Sequence, residues 1–397
     1  MYQNLAILGA FVFFYSLCSD RLARTPVNGA LVYMAVGLGL GPLGLGWLKL
    51  DVDAEGLRAL AEMTLALVLF TDAAQANRRV LQHSWRIPLR LLLVGMPLTI
   101  GLGLVAGRLL LPGLDWISLL LLATILAPTD AALGKAVVTD TAVPANMREG
   151  LNVESGLNDG ICVPLVLLLL ALAVDVEELG STPQFALQLV GRSIGVGLLA
   201  GIVVTWLAVQ LLRRVDRLGW VTDSWAQLTL PALALVCFAT AQLLGGSGFI
   251  ACFVGGILFG ALEQRAIHGR LLEAESLGDT LALVTWVVFG AGVVGQGLER
   301  FSWDVCLYAL CSLTVVRMVP VFLCLWGTSL DAGQKLFMGW FGPRGLASIV
   351  FTVIVFGAQL PGAGRIIDAV VLTIVFSVLL HGMSANPLVA RLGAREH

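Results

Sequence analysis

Leu151-Asn152-Val153-Glu154-Ser155-Gly156-Leu157-Asn158-Asp159-Gly160 runs straight into Ile161-Cys162-Val163-Pro164-Leu165-Val166-Leu167-Leu168-Leu169-Leu170. The second half carries no charge and suits lipid or the core of a helix bundle, so Glu154 and Asp159 at its head lie at membrane depth. An acid at the centre of a membrane helix costs about 2.5–3.5 kcal/mol on insertion scales, and it persists only where it faces protein or water and finds a partner. Helical spacing adds a second constraint. Glu154 and Asn158 stand one turn apart, as do Ser155 and Asp159, which sets carboxylate and hydroxyl on one narrow stripe. Oxygen ligands so arranged suit a small hard cation.

The rest of the chain agrees with a membrane setting. Of 397 residues, 58% are hydrophobic and 13% charged, and a mean hydropathy of +0.91 excludes an ordinary soluble domain. The net charge of -2 is spread over short loops, leaving no basic face for nucleic acid. Asn4 to Leu17 lacks a basic leader and a small-residue cleavage site, so it reads as a retained first span. Cys18, Cys162, Cys237, Cys252, Cys306, Cys311 and Cys324 lie in apolar segments without CxxC spacing and read as small core hydrophobes.

Cutting at charged and Gly/Pro-rich breaks leaves about thirteen segments able to cross a hydrocarbon core of about 30 Å. They run approximately over 3–19, 27–48, 57–74, 89–111, 116–138, 150–173, 186–211, 225–244, 247–263, 277–296, 303–326, 336–357 and 366–387. The expected fold is an all-α polytopic membrane protein, with residues 1–397 forming a single membrane domain. Numbering the loops alternately puts Arg21, Arg24, Arg78, Arg79, Arg86, Arg90, Arg148, Arg213, Arg214, Arg217, Arg265, Arg270, Lys335, Arg391 and Arg395 on one side. Only Lys49, Arg58, Arg108, Arg300 and Arg365 fall on the other. The positive-inside rule then places the N-terminus outside and the C-terminus in the cytoplasm.

An internal echo divides the chain further. Residues 29–41 match residues 248–260 with glycines aligned at Gly29/Gly248, Gly37/Gly256 and Gly41/Gly260. The same offset lays the first six spans (1–173) over the last six (225–390) and leaves 186–211 as a connecting helix, so the copies have opposite orientation, as in inverted-repeat secondary transporters. The fifth span, broken by Ala127-Pro128-Thr129-Asp130, then corresponds to the twelfth, broken by Phe341-Gly342-Pro343-Arg344-Gly345. Interrupted helices are tolerated only where they line a cavity, and a corresponding pair points to a transport site.

Asp159 and Asp130 come from different spans, each beside a hydroxyl residue, Ser155 and Thr129. With carbonyls freed at Pro128 they could replace the hydration shell of a monovalent ion, helped by partial charges at helix ends. Desolvation favours the neutral form of any carboxylate, so a proton competes with the cation for the same group. That competition is the physical minimum for exchange. Two other classes fit parts of the sequence: a channel or uniporter with the same oxygen-lined site, and an intramembrane serine protease built on Gly245-Gly246-Ser247-Gly248 with His381. The protease gives Asp130 and Asp159 no role, and His381 reads more simply as a hydrogen-bonded helix histidine.

The three motifs, Ala127-Pro128-Thr129-Asp130, Glu154-Ser155-Gly156-Leu157-Asn158-Asp159-Gly160 and Phe341-Gly342-Pro343-Arg344-Gly345-Leu346-Ala347, together resemble those of the monovalent cation/proton antiporters of the NhaP and sodium/hydrogen-exchanger type. The resemblance implies that Asp159 is the ion- and proton-binding carboxylate, that Na+ sits among Asp159, Asp130, Ser155 and Thr129, and that no cofactor is needed beyond the transported ions. It implies that Asn158 stands where electrogenic relatives carry a second Asp, hence electroneutral exchange. It also implies that Glu154 pairs with Arg317 as scaffold, and that the protein works as a homodimer in a prokaryotic-type plasma membrane. Asp72 reads equally as an acid facing the ion pathway or an interfacial charge. Arg344 reads equally as a partner of the helix break or a snorkelling residue, and Lys135 and Arg192 read as snorkelling or pairing residues.

Overall fold

The computed structural model describes all residues except 1, 24, 26–27, 49–53, 76–84, 131–132, 179–182, 264–266, 296–299, 301, 359, 361 and 397. Arg24, Lys49, Arg78, Arg79 and Arg265 of the loop-charge pattern lie outside the described residues, as do the side chains of Lys135, Arg270 and Arg395. Every described element is helical: α1 (Tyr2–Ala23), α2 (Gly29–Leu40), α3 (Ala54–Gln75), α4 (Arg86–Leu110), α5 (Trp116–Ile125), α6 (Lys135–Thr139), α7 (Ala145–Glu178) and α8 (Pro183–Arg217). They continue as α9 (Thr229–Leu243), preceded by the short turn Asp223–Ala226, α10 (Gly248–Leu262), α11 (Ile267–Val288), α12 (Trp303–Leu313), α13 (Val315–Cys324), α14 (Ala332–Trp340), α15 (Leu346–Gly357) and α16 (Ala363–Glu396). Among the described residues, 8 helical stretches are long and apolar enough to cross a membrane, and four shorter apolar helices join them. Each expected span contains helix, the second only over Gly29–Leu40, beyond which residues 41–46 form turns. The fifth is split into α5 and α6 and the twelfth into α14 and α15.

The eleventh span departs from expectation. It is interrupted at Thr314, whose φ of -105° and ψ of -94° separate α12 from α13, although neither Pro nor Gly stands there. The Thr314 hydroxyl donates back to the Leu310 carbonyl at 2.7 Å, a local bond that competes with the helix ladder. Conversely, Pro164 lies inside α7 and does not end it.

The chain divides into two compact units. The first comprises Met1–Ala59, Arg86–Ser155 and Ala282–His397. In it, α2 crosses the end of α11 backbone to backbone: a Cβ at Gly37 would strike the Val287 carbonyl, one at Gly41 would strike Ala291, and one at Gly290 would strike the Met34 carbonyl. A buried cluster that includes Leu91, Met147, Leu151, Phe337, Met338 and Phe341 packs beneath the two helix breaks.

The second unit comprises Leu60–Trp85 and Gly156–Leu281. Here Gly256 and Gly260 of α10 sit on the Phe70 and Ala74 carbonyls of α3, and Gly197 and Gly201 of α8 sit on the Ser247 and Ala251 carbonyls. Gly245, at φ +76°, lies just past the end of α9 in the left-handed region that glycine tolerates. The Ser247 hydroxyl accepts from the Ile250 amide at 3.4 Å and caps α10. The Gly-Gly-Ser-Gly stretch is therefore a helix stop followed by a helix start.

Candidate functional site

Pro128 has no N–H and cannot continue α5, so residues 126–130 leave the helix and expose carbonyls that need donors. In the first unit several of those donors come from the twelfth span. The Ser348 hydroxyl donates to the Ile125 carbonyl at 2.8 Å. Arg344 donates through Nη1 to the Gly342 carbonyl at 3.0 Å and the Pro128 carbonyl at 3.4 Å. Its side chain is fully buried, 0% exposed, so it serves the breaks and does not reach an interface.

The reciprocal debt is met by Asp130. Its amide donates to the Pro343 carbonyl at 2.8 Å, joining one break to the other. Its Oδ2 accepts from the Leu346 amide at 3.1 Å, in the first turn of α15, where the helix dipole favours an anion. Gly345 makes this approach possible, because a Cβ there would run into the Asp130 carboxylate. An acid thus closes a helix start while a base closes two chain segments with exposed carbonyls.

Next to the crossing, Ser155 of α7 donates to the Thr129 carbonyl at 2.8 Å. Glu154, one residue earlier, forms a bidentate pair with Arg317 of α13 at 2.6 and 2.7 Å, both side chains 2% exposed. A Cβ at Gly342 would meet Arg317 Nε at 2.5 Å, so the pair also buttresses the twelfth-span break. Thr129, Asp130 and Ser155 share a cavity of about 10 Å³ with the apolar Val137, Leu151 and Phe341, which is room for about one water or one bare cation.

Pro128, Thr129, Asp130, Glu154, Ser155, Arg317 and Arg344 therefore all belong to the first unit. Asp159, Asn158 and Asp72 belong to the second. Asp159 and Asn158 are buried, and Ser155 and Asp159 are one turn apart on the uninterrupted α7. Asp72 of α3 is half-buried, with its backbone packed against Gly156 of α7, on the face that Asp159 shares three residues later. Arg192 is exposed. Sequence reasoning missed Ser348 and Ser377, the latter accepting from the Arg344 amide at 2.7 Å. It also missed Asp368, which pairs with Arg300 at 3.4 Å near the start of α16. The available signal was a polar residue inside an apolar helix.

Residues 7–391 match the family model described as sodium/hydrogen exchanger, transmembrane. The chain belongs to the sodium/hydrogen exchanger family. Among exchanger relatives it is 24% identical over 382 residues to the K(+)/H(+) antiporter NhaP2 of Shewanella baltica, a match covering 96% of this chain and 65% of that protein. It is 24% identical over 404 residues to the K(+)/H(+) antiporter NhaP of Alkalimonas amylolytica, covering 97% of this chain and 66% of the relative. The chain thus spans just under two thirds of the length of these relatives. In fold it is similar to the sodium proton antiporter MjNhaP1 from Methanocaldococcus jannaschii at pH 8, with a TM-score of 0.79 at 22% identity over 99% of both chains. In this exchanger-family chain the Ser247 hydroxyl is occupied as the cap of α10.

Proposed function

We propose that this protein is a secondary active antiporter that exchanges a monovalent cation, Na+, K+ or Li+, for H+ by alternating access. The observation that carries the proposal is the charge-compensated crossing of two interrupted helices, with Asp130 and Arg344 closing each other's chain ends beside a small polar cavity. Irregular backbone at membrane depth is tolerated only where it is buried in protein or lines a cavity, and interruptions at corresponding positions of two halves point to a transport site. In this proposal Asp159 is the carboxylate for which cation and proton compete, Ser155, Thr129 and Asp130 supply further oxygens, and Asp72 serves the pathway. Glu154 and Arg317 are scaffold. The assignment of Asp159 rests on the sequence motif and on its burial. Inverted repeats 1–173 and 225–390 are supported by two matching contacts: the glycine face of the second span lies on the tenth, and that of the ninth lies on the third.

The relatives named above are K(+)/H(+) antiporters and the structural neighbour is a sodium proton antiporter, so both ions belong in the test. Asn158 in place of a second Asp favours electroneutral 1:1 exchange serving pH and cation homeostasis. We place the protein as a homodimer in the plasma membrane, N-terminus outside and C-terminus in the cytoplasm. In proteoliposomes carrying a pH gradient, added Na+ or K+ is expected to dissipate the gradient with saturation, and Asp159→Asn is expected to abolish that response. A wild-type rate in Asp159→Asn defeats the assignment.

A further inference from the structure

The twelfth-span break is held from a third side by a stripe that no motif marks. Ser377, His381 and Ser384 lie at i, i+4 and i+7 on α16, hence on one face. Ser377 is fully buried, and its Oγ accepts from the backbone N–H of Arg344, a donor that the break deprives of a helical carbonyl. His381, 1% exposed, holds Ser377 in turn: its Nδ1 lies 3.2 Å from the Ser377 Oγ and 3.0 Å from the Ser377 carbonyl. The imidazole packs against Trp340 and Phe341, the residues that lead into the break, at centroid distances of 4.9 and 6.4 Å. Trp340 Nε1 donates to the Ser384 hydroxyl at 2.9 Å, which donates to the His381 carbonyl at 3.4 Å. Trp340, Phe341 and Arg344 are therefore docked on one line of α16 side chains.

We propose that Ser377 and His381 are positioning residues of the cation site, acting through Arg344. Ser377 fixes the Arg344 backbone, the Arg344 guanidinium closes the Pro128 and Gly342 carbonyls, and the register of Thr129 and Asp130 follows. Ser377→Ala removes the hydroxyl oxygen, leaving a small void and a buried Arg344 N–H without that acceptor, a penalty the break escapes by shifting. The proposal rests on the antiport reading above and names two residues through which the site keeps its shape.

The test measures initial exchange rates in proteoliposomes against cation concentration. Ser377→Ala is expected to raise the apparent KM for the cation about three- to tenfold, the factor that follows from losing one buried hydrogen bond, with a smaller effect on the maximal rate. Ser377→Thr keeps the hydroxyl and is expected to restore the KM. A wild-type KM in Ser377→Ala, or a raised KM that Ser377→Thr leaves uncorrected, overturns the proposal. If Ser377→Ala fails to fold, His381→Gln and His381→Leu give the same comparison, one keeping a hydrogen-bonding group and the other removing it, and equal KM values overturn it. Absence of exchange in the parent protein, or a wild-type rate in Asp159→Asn, defeats the antiport reading instead.

Discussion

Replacing Glu154 by Gln keeps the shape of the side chain and deletes one charge of a pair that is dry on both sides. The two bonds of 2.6 and 2.7 Å place guanidinium and carboxylate in parallel, with each side chain 2% exposed. With charge centres about 4 Å apart and an effective dielectric constant of about 20, their attraction is about 4 kcal/mol. That agrees with the roughly 3–5 kcal/mol lost when one partner of a buried pair is removed. At about 1.4 kcal/mol per decade, the folded population falls by about a hundredfold to several thousandfold relative to the unfolded one. Replacing both partners by apolar residues of similar size, Glu154→Leu with Arg317→Met, removes both desolvation costs and is expected to be close to neutral. The assay is the fraction of protein that stays monodisperse on size-exclusion chromatography after heating in mild detergent. A Glu154→Gln variant as heat-resistant as the parent, or a double variant as fragile as the single ones, would refute the reasoning.

Three further outcomes follow from the same geometry. Gly345→Ala puts a methyl group where the Asp130 carboxylate lies, so the bond to the Leu346 amide must break; exchange should be lost while folded protein is still recovered, and an unchanged rate would show that this contact does not matter. Ser247→Ala removes the cap of α10, should cost about 1 kcal/mol in thermal stability, and should leave exchange intact; loss of a peptide-cleaving activity would revive the protease alternative. Asp115 caps α5 by accepting from the Ile117 and Ser118 amides at 2.8 and 3.0 Å. Burial pushes its carboxyl up, but hydrogen bonds from Ser118 and Ile117 outweigh this and leave it below the usual carboxylate value. A group whose folded pKa is depressed contributes stability above its unfolded pKa and loses it as pH falls through the folded one. Heat resistance of the parent should therefore drop more steeply than that of Asp115→Asn as pH falls from about 5 to about 2, and parallel curves would contradict it.

The membrane spans were legible because hydropathy and loop charge are local signals. So were the two breaks, since Pro128 and the Gly342-Pro343 pair each remove a helical donor and disfavour the turn before them, although Pro164 inside α7 shows that proline alone does not end a helix. The interruption at Thr314 was not, because a β-branched hydroxyl residue ends a helix only when packing permits it. Arg344 illustrates the limit most clearly. Its neighbours in sequence allow either a buried or an interfacial guanidinium, and only the carbonyls of Pro128 and Gly342, one of them 216 residues away, decide the matter. Ser377 was invisible for the same reason: a serine in an apolar helix looks idle until the amide it serves is brought to it.

Asp130 and Arg344, like Glu154 and Arg317, come as one negative and one positive side chain in the first unit. With all four ionised, the framework around the breaks carries no net charge. An electric field across the bilayer does about 2.3 kcal/mol of work per elementary charge per 100 mV, and on this framework those contributions cancel. Under the antiport reading proposed above, voltage acts on the transported ions and on Asp159 but does no net work on these four side chains when they move together.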